Sequence, residues 1–447
     1  FAKEADQLML TEVRMFLDDD PLRLRIQIAE HTKAALVLHK DSPITGTVSF
    51  GARQQPSYAK DSIRLIGSIE AFDLASTLEV VEAISNDDGE SGSEGEGQTL
   101  PTVYAQNLLL KKASAFGNEF NNLTTAVASH GRAWTFAVSG KDVAGRATYD
   151  AERSLALDIS LDHLYLQTET NELELPTEEA ANTDILADWY PSDLPEMQFK
   201  LADLKVNGEP YGRWSFETSK IQHGVIFRNL DASSRGLQIA GTPEQPAFLR
   251  WKRVGDQQQT EFNGVLSCSD LGAVLEAWEY AAAMRSKSCR FGAELSWYGS
   301  PLDLELAQME GRVDIALNNG QFLETNSTAN ALRIFSLFNF DTLLRRLQFR
   351  FDDVFNRGLS YDQISGEFLL TNGMLNIQKP FDVKGPSSRL QMTGSLDLVN
   401  ETVDTRMVAT LPISSNLPWV AALAGGLPMA AGVYVAGKIF QKPMEKL

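Results

Sequence analysis

The residues best suited to proton transfer or metal binding are five histidines, His31, His39, His130, His163 and His223, and their spacing supports neither role. No two stand one helical turn apart, and there is no HExxH. No GxSxG elbow offers a nucleophilic serine, and no Walker A sequence offers a phosphate cradle. The glycines of 89–97 lie among acidic residues, the wrong field for a phosphate. Asp352-Asp353 and Glu178-Glu179 read as solvated turn residues rather than as an acid and base pair. Two cysteines, Cys268 and Cys289, are too few for a disulfide scaffold or a Cys-rich zinc or iron–sulfur site. They either bridge, in an oxidising compartment, or remain as small core thiols. These residues support no enzyme and call for no cofactor and no metal.

Forty basic and 59 acidic residues give a net charge of −19, which repels phosphate and argues against nucleic acid as a partner. The chain has 447 residues, of which 43% are hydrophobic and 22% charged, enough to build a core. At about 150 residues per domain this length predicts about three domains or one long continuous structure. Because it opens at Phe1 on a segment that already looks structural, the chain reads as a fragment.

The elements alternate at period two. Leu22, Leu24, Ile26 and Ile28 do so, as do Leu155, Leu157, Ile159 and Leu161. The same pattern recurs at Val313, Ile315 and Leu317 and at Leu390, Met392, Gly394, Leu396 and Leu398. Alternation puts apolar side chains on one face of a sheet. Turn signals at Asn207-Gly208, Asn319-Gly320, Asn372-Gly373 and Val399-Asn400-Glu401 predict hairpins, and hence antiparallel pairing throughout. The fold class is mainly β, with few helices, concentrated late. Ser269-Asp270 caps an expected helix with Leu271, Val274, Leu275 and Trp278 on one face, in the region 270–285. A helical turn is expected around 184–190 and a Phe-rich helix at 328–347, in which Phe335, Leu337 and Phe338 are candidate membrane contacts.

Residues 85–98, SNDDGESGSEGEGQ, carry no aliphatic side chain and read as an acidic disordered loop; 176–195 forms a second insertion rich in Pro and acids. No charge occurs over residues 407–437, but Pro412, Pro418, Gly425-Gly426 and Pro428 divide the stretch into helices too short to span a bilayer. This hairpin, 417–440, either lies in a membrane interface, with Trp419, Leu423, Leu427, Val433 and Tyr434 as contacts, or plugs one end of the β structure. What covers the strands' apolar faces also has two answers: a second sheet, or nothing, leaving a hydrophobic trough.

The C-terminal part resembles the YhdP branch of the AsmA-like proteins, large periplasm-facing proteins of Gram-negative bacteria anchored in the inner membrane. LSWYGSPLDLELAQMEGRVDIALNNGQF (295–322) is similar to the family's W-x-G-x-P strand pair, and ALRIFSLFNFDTLLRRLQFRFDDVFNRGLSYDQISGEF (331–368) to its helix, turn and return strand. NGMLNIQKPFDVKGPSSRLQMTGSLDLVNETVD (372–404) resembles the AsmA-type hairpin, and LPWVAALAGGLPMAAGVYVAGKIF (417–440) the apolar helical segment. Upstream, 131–166 and 194–218 resemble the earlier strand repeats more loosely, and 1–100 carries no specific motif.

The resemblance implies an elongated, curled antiparallel β-sheet, a taco-like β-groove that carries phospholipids between the inner and outer membranes. The organisation it implies is a groove segment at 1–84, the acidic loop 85–98, groove repeats at 99–310 and an AsmA-like C-terminal region at 311–447. The alternating residues above would line the groove, unless they pack against a second sheet. The partners are phospholipids and the two membranes. The location is the periplasm, with an inner-membrane anchor outside this fragment. The competing expectation is a structural or assembly factor for the outer membrane that carries no lipid.

Overall fold

A computed structural model describes residues 11–73, 101–167, 186–323 and 359–410, apart from a few positions within those ranges. The protein is mainly β, and its chain divides into two compact units, Phe1–Glu178 with Leu194–Lys220, and Glu179–Asp193 with Ile221–Leu447. In the first unit the strands are β1 Thr11–Phe16, β2 Leu22–Ile28, β3 Thr32–Leu38, β4 Thr45–Phe50, β5 Ile63–Asp73 and β6 Val103–Ala115. They continue with β7 Asn118–His130, β8 Ala133–Ser139, β9 Val143–Asp150, β10 Leu157–Leu166, β11 Met197–Val206 and β12 Glu209–Ile221. The second unit holds β13 Gly224–Ser234, β14 Leu237–Ala240, β15 Phe248–Val254, β16 Gln257–Cys268 and β17 Met284–Tyr298. After these come β18 Glu310–Phe322, β19 Leu359–Thr371, β20 Met374–Lys384, β21 Arg389–Asp397 and β22 Thr402–Thr410. Among the described residues there is one α-helix, α1 Leu271–Ala277. Near 184–190 the described residues make a turn that leads into a short 3-10 helix, Pro191–Asp193.

Pairing is antiparallel at most steps, but β4 pairs β5, β5 pairs β6 and β10 pairs β11 in parallel, which corrects the expectation of antiparallel pairing throughout. The reason is connection length. Parallel neighbours need a crossover of a dozen or more residues, and the three parallel steps are joined by residues 51–62, 74–102 and 167–196. The last two contain the insertions read from composition. The segment 51–62 carries Tyr58, over which the guanidinium groups of Arg23 and Arg25 sit at 5.2 and 5.7 Å, so it packs on the polar face of the sheet. Ala35 and Ser49 on that face are 0% exposed.

Three of the four turn signals make turns. Asn207-Gly208 and Asn372-Gly373 take positive φ values, 53° and 83°, and 49° and 75°. Asn319-Gly320 instead lies inside β18, which corrects its reading as a hairpin turn. Asn319 is left-handed, with φ 54°, and its pair drops out of the ladders on both sides. A Cβ on Gly320 would fall 2.4 Å from the Tyr361 ring, so glycine lets β19 approach.

Left-handed asparagines recur within strands at Asn107, Asn122 and Asn229, each followed by a leucine. Asn tolerates this conformation better than other non-glycine residues. The kink moves the next side chain onto the other face, so Phe120 and Leu123, three apart, pack in one cluster with Leu110 and Ala113.

Candidate functional site: the apolar sheet faces

In the first unit the register aligns one apolar residue per strand. Directly opposite residues from β1 to β6 are Val13, Ile26, Ala34, Val48, Leu65 and Ala105. From β7 to β12 the row continues with Val127, Phe136, Ala147, Ile159, Phe199 and Phe216. Only the two small residues Ala34 and Ala105 are buried; most of the others are half-buried, and Val13 and Phe136 are 57% and 42% exposed. Phe199 and Phe216 stack with centroids 4.8 Å apart. The opposite face carries cross-strand ion pairs such as Lys111 Nζ to Glu70 Oε1 at 2.7 Å. The usual order is locally inverted at β3–β4: on the polar side Ala35, Thr45, Thr47 and Ser49 are buried, while Leu36, Leu38 and Val48 on the apolar side are only half-buried.

The second unit repeats the device. Phe227, Leu249, Phe262, Leu295, Gly311, Leu370, Leu375 and Leu396 stand opposite one another from β13 and β15 through β21. Gly311 has φ 141°, and a Cβ there would lie 2.0 Å from the Glu294 carbonyl oxygen, so no other residue fits that place in the row. Further along the same face a second row is Cys268, Cys289, Leu317, Ile364, Val383 and Leu390. Cys268 and Cys289, directly opposite on β16 and β17, form a disulfide with Cα atoms 5.0 Å apart. The far side of the same strands is polar, with Arg290 Nη1 bonded to Asp314 Oδ2 at 2.7 Å and Lys379 paired with Glu367.

Here a helix covers the apolar face. The Asp270 side chain accepts from the Ala273 amide at 3.1 Å and starts α1, whose Leu271, Val274 and Leu275 are buried. Trp278 closes the helix, and Arg235 donates to the Ala277 carbonyl at 3.0 Å while its guanidinium lies 5.7 Å from the Trp278 ring. Between α1 and the sheet lies a cavity of about 530 Å³. Its floor is Leu237, Leu266, Met284, Phe291, Ile315, Leu317, Phe322, Ile364 and Phe381, and every residue around it is apolar or aromatic. Beside it Tyr361, 2% exposed, donates to the Arg285 carbonyl at 3.0 Å; burial pushes its phenol above the usual value, and a bond to Ser286 partly offsets this.

Of the residues singled out by alternation, Leu22, Leu24, Ile26, Leu157, Ile159 and Leu161 are half-buried and Ile28 is exposed. Leu155 is half-buried just before β10. Ile315 and Leu317 line the cavity, and Leu390 and Met392 pack in the same cluster. Val313, opposite Phe368, lies one row further along, Leu396 is buried, and Leu398 packs near Trp297 and Leu370. Phe136, Phe199 and Phe216 are additional row members that alternation did not single out; their signal is aromatic residues in short β runs, broken in β11 by a bulge between Leu201 and Leu204. Phe335, Leu337, Phe338, Trp419, Leu423, Leu427, Val433 and Tyr434, with the acidic loop 85–98, the helix 328–347, the hairpin 417–440 and the carboxylate pairs at 178 and 352, lie outside the described residues. His39 meets Thr45 Oγ1 at 3.2 Å and His163 the Gly140 carbonyl at 3.3 Å. Among the described residues no group of three His, Cys, Asp or Glu could hold a metal, and no helix is long and apolar enough to cross a membrane.

Sheets with one long apolar face, register-aligned and only partly covered, define a class of β proteins that present hydrocarbon-compatible surface. The chain belongs to the YhdP family, whose model, described as "YhdP protein", matches residues 1–447. It is similar to the "Intermembrane phospholipid transporter YhdP" of Escherichia coli (strain K12), 24% identical over 245 residues that make up 55% of this chain and 19% of that protein. The chain therefore spans about a fifth of the length of that relative. No solved structure matches.

Proposed function

We propose that this chain carries phospholipid between the inner and outer membranes, its apolar rows lining a curled β-groove that accepts acyl tails. The observation that carries the reading is the twelve-strand row from Val13 to Phe216, apolar at every step and half-buried or more exposed at most of them. At about 0.8 kcal/mol per CH₂, a chain of about sixteen carbons costs on the order of 12 kcal/mol to expose to water. A lining of Leu, Ile, Val and Phe removes that cost at each strand, while headgroups stay in water. The Cys268–Cys289 disulfide fits an oxidising compartment such as the periplasm. The apolar segments 328–347 and 417–440 are the parts read as meeting a membrane.

Photo-reactive residues at positions 24 and 157 in living cells test it, with positions 25 and 200 on the opposite face as controls. Crosslinks to phospholipid at 24 and 157 and none at 25 and 200 are expected, together with phospholipid in the purified chain by mass spectrometry. No lipid at any position, and none copurifying, would sink the reading in favour of a lipid-free structural rod.

A further inference from the structure

The cavity under α1 differs from the open rows in having protein on both sides. We propose that it is a holding site for one acyl chain of a phospholipid, a place where a single tail is gripped between helix and sheet. The inference deepens the transport reading and rests on it only for the lipid's arrival at this face.

Three observations carry it. The first is chemistry: roof residues Leu271, Val274 and Leu275 face floor residues Phe291, Ile315 and Leu317, and no charged side chain takes part in the lining. A glycerol ester or phosphate would go unsatisfied there, so the ligand inside is hydrocarbon and its headgroup stays outside. The second is size. A dry cavity of about 150 Å³ accepts benzene, or about 25 Å³ per carbon, so about 530 Å³ holds on the order of twenty carbons. That is one tail of a membrane lipid, with no room for the second. The third is how the roof is fixed. The Asp270 cap and the Cys268–Cys289 bond secure its start, and Arg235 secures its end through the Ala277 carbonyl and the Trp278 ring.

Trp278 lies in the lining and reports on occupancy. The full chain, stripped of lipid, is titrated with fatty acids brominated along the tail, whose bromines quench an indole on contact. The part of the quenching that belongs to Trp278, taken as the difference between the chain and Trp278→Phe, is expected to saturate at one tail per chain, whatever tails reach Trp134 and Trp214 beside the open rows. Affinity should tighten about fourfold per added CH₂ and level off near about twenty carbons, where the space is full. Leu237→Phe and Ile315→Phe, which fill the floor, should each weaken binding at least about tenfold with the thermal midpoint kept. The length series needs no variant, so a misfolded variant does not rescue the idea. Vesicles of phosphatidylcholine with brominated tails should quench the same tryptophan; quenching by fatty acid alone would overturn the phospholipid assignment. A Trp278 share that does not saturate, or quenching left unchanged by Trp278→Phe, overturns the site. Trp278 quenching without crosslinks at 24 and 157 would fail the transport reading and leave this site standing, and the reverse would fail this site alone.

Discussion

The two units solve the same problem in different ways. In both, strand register gathers apolar residues into rows on one face and ion pairs on the other. In the second unit α1 lies on that face, and Cys289, Leu317, Ile364 and Val383 fall to between 1% and 5% exposure. In the first unit no helix occurs among the described residues; the row from Val13 to Phe216 stays mostly half-buried, while further along the same face Leu110, Ala113, Phe120 and Leu123 are buried against one another. The difference teaches that the open face is not a failure of packing. The same chain covers an apolar row where a roof is called for, and in the first unit it sends a described crossover, residues 51–62, to the polar side.

Exchanging aromatic residues between the two settings probes this contrast most strongly. Phe368→Ala, at 0% exposure in the second unit, should cost about 3–5 kcal/mol in denaturant unfolding. Phe136→Ala, 42% exposed in the first, should cost about 1 kcal/mol and instead reduce the phospholipid that copurifies. Equal losses of stability would erase the distinction between an open and a roofed face. Next in size, replacing both Cys268 and Cys289 by serine should destabilise the second unit by about 3 kcal/mol and leave hydrogen exchange in β1–β12 unchanged. Removing the helix cap with Asp270→Ala should cost about 1 kcal/mol and raise exchange at α1 first.

The smallest effect concerns the β21–β22 turn. Asn400 donates from its amide and side chain to Asp397, at 2.9 and 2.8 Å, and holds that carboxyl below its usual range. Its contribution is therefore in place above the ordinary carboxylate value and is lost as pH falls through the lowered one. Unfolding of Asp397→Asn followed against pH should lack that acid-side loss; an identical profile would remove the turn from the account.

Much of this was legible because period two survives wherever strands are regular. Leu22–Ile28, Val313–Leu317 and Leu390–Leu398 each show their face in the sequence. Period two fails where a left-handed asparagine intervenes: in Phe120-Asn-Asn-Leu123 and Ala105-Gln-Asn-Leu108, both end residues pack on one side although they are three apart. That apolar-x-Asn-Leu pattern is a readable signal once the kink is known, and it recurs at Phe227–Leu230. The parallel steps were hidden because hairpin signals speak only for the strands they join, whereas crossover lengths decide the others. The cap at Asp270 was local and could be read; the cavity was not, because it depends on where β17–β20 run beneath α1. The cysteine pairing needed the β16–β17 register, which no spacing of two residues supplies.

The open row also has a calorimetric consequence. Unfolding usually raises the heat capacity by about 12–15 cal/mol/K per residue because apolar surface meets water only then. In the first unit, part of that surface is already hydrated in the native protein, so melting has less left to expose and the increment should fall below the usual value. Hydrocarbon settling on the same strands would expel that water and lower the heat capacity of the native state itself.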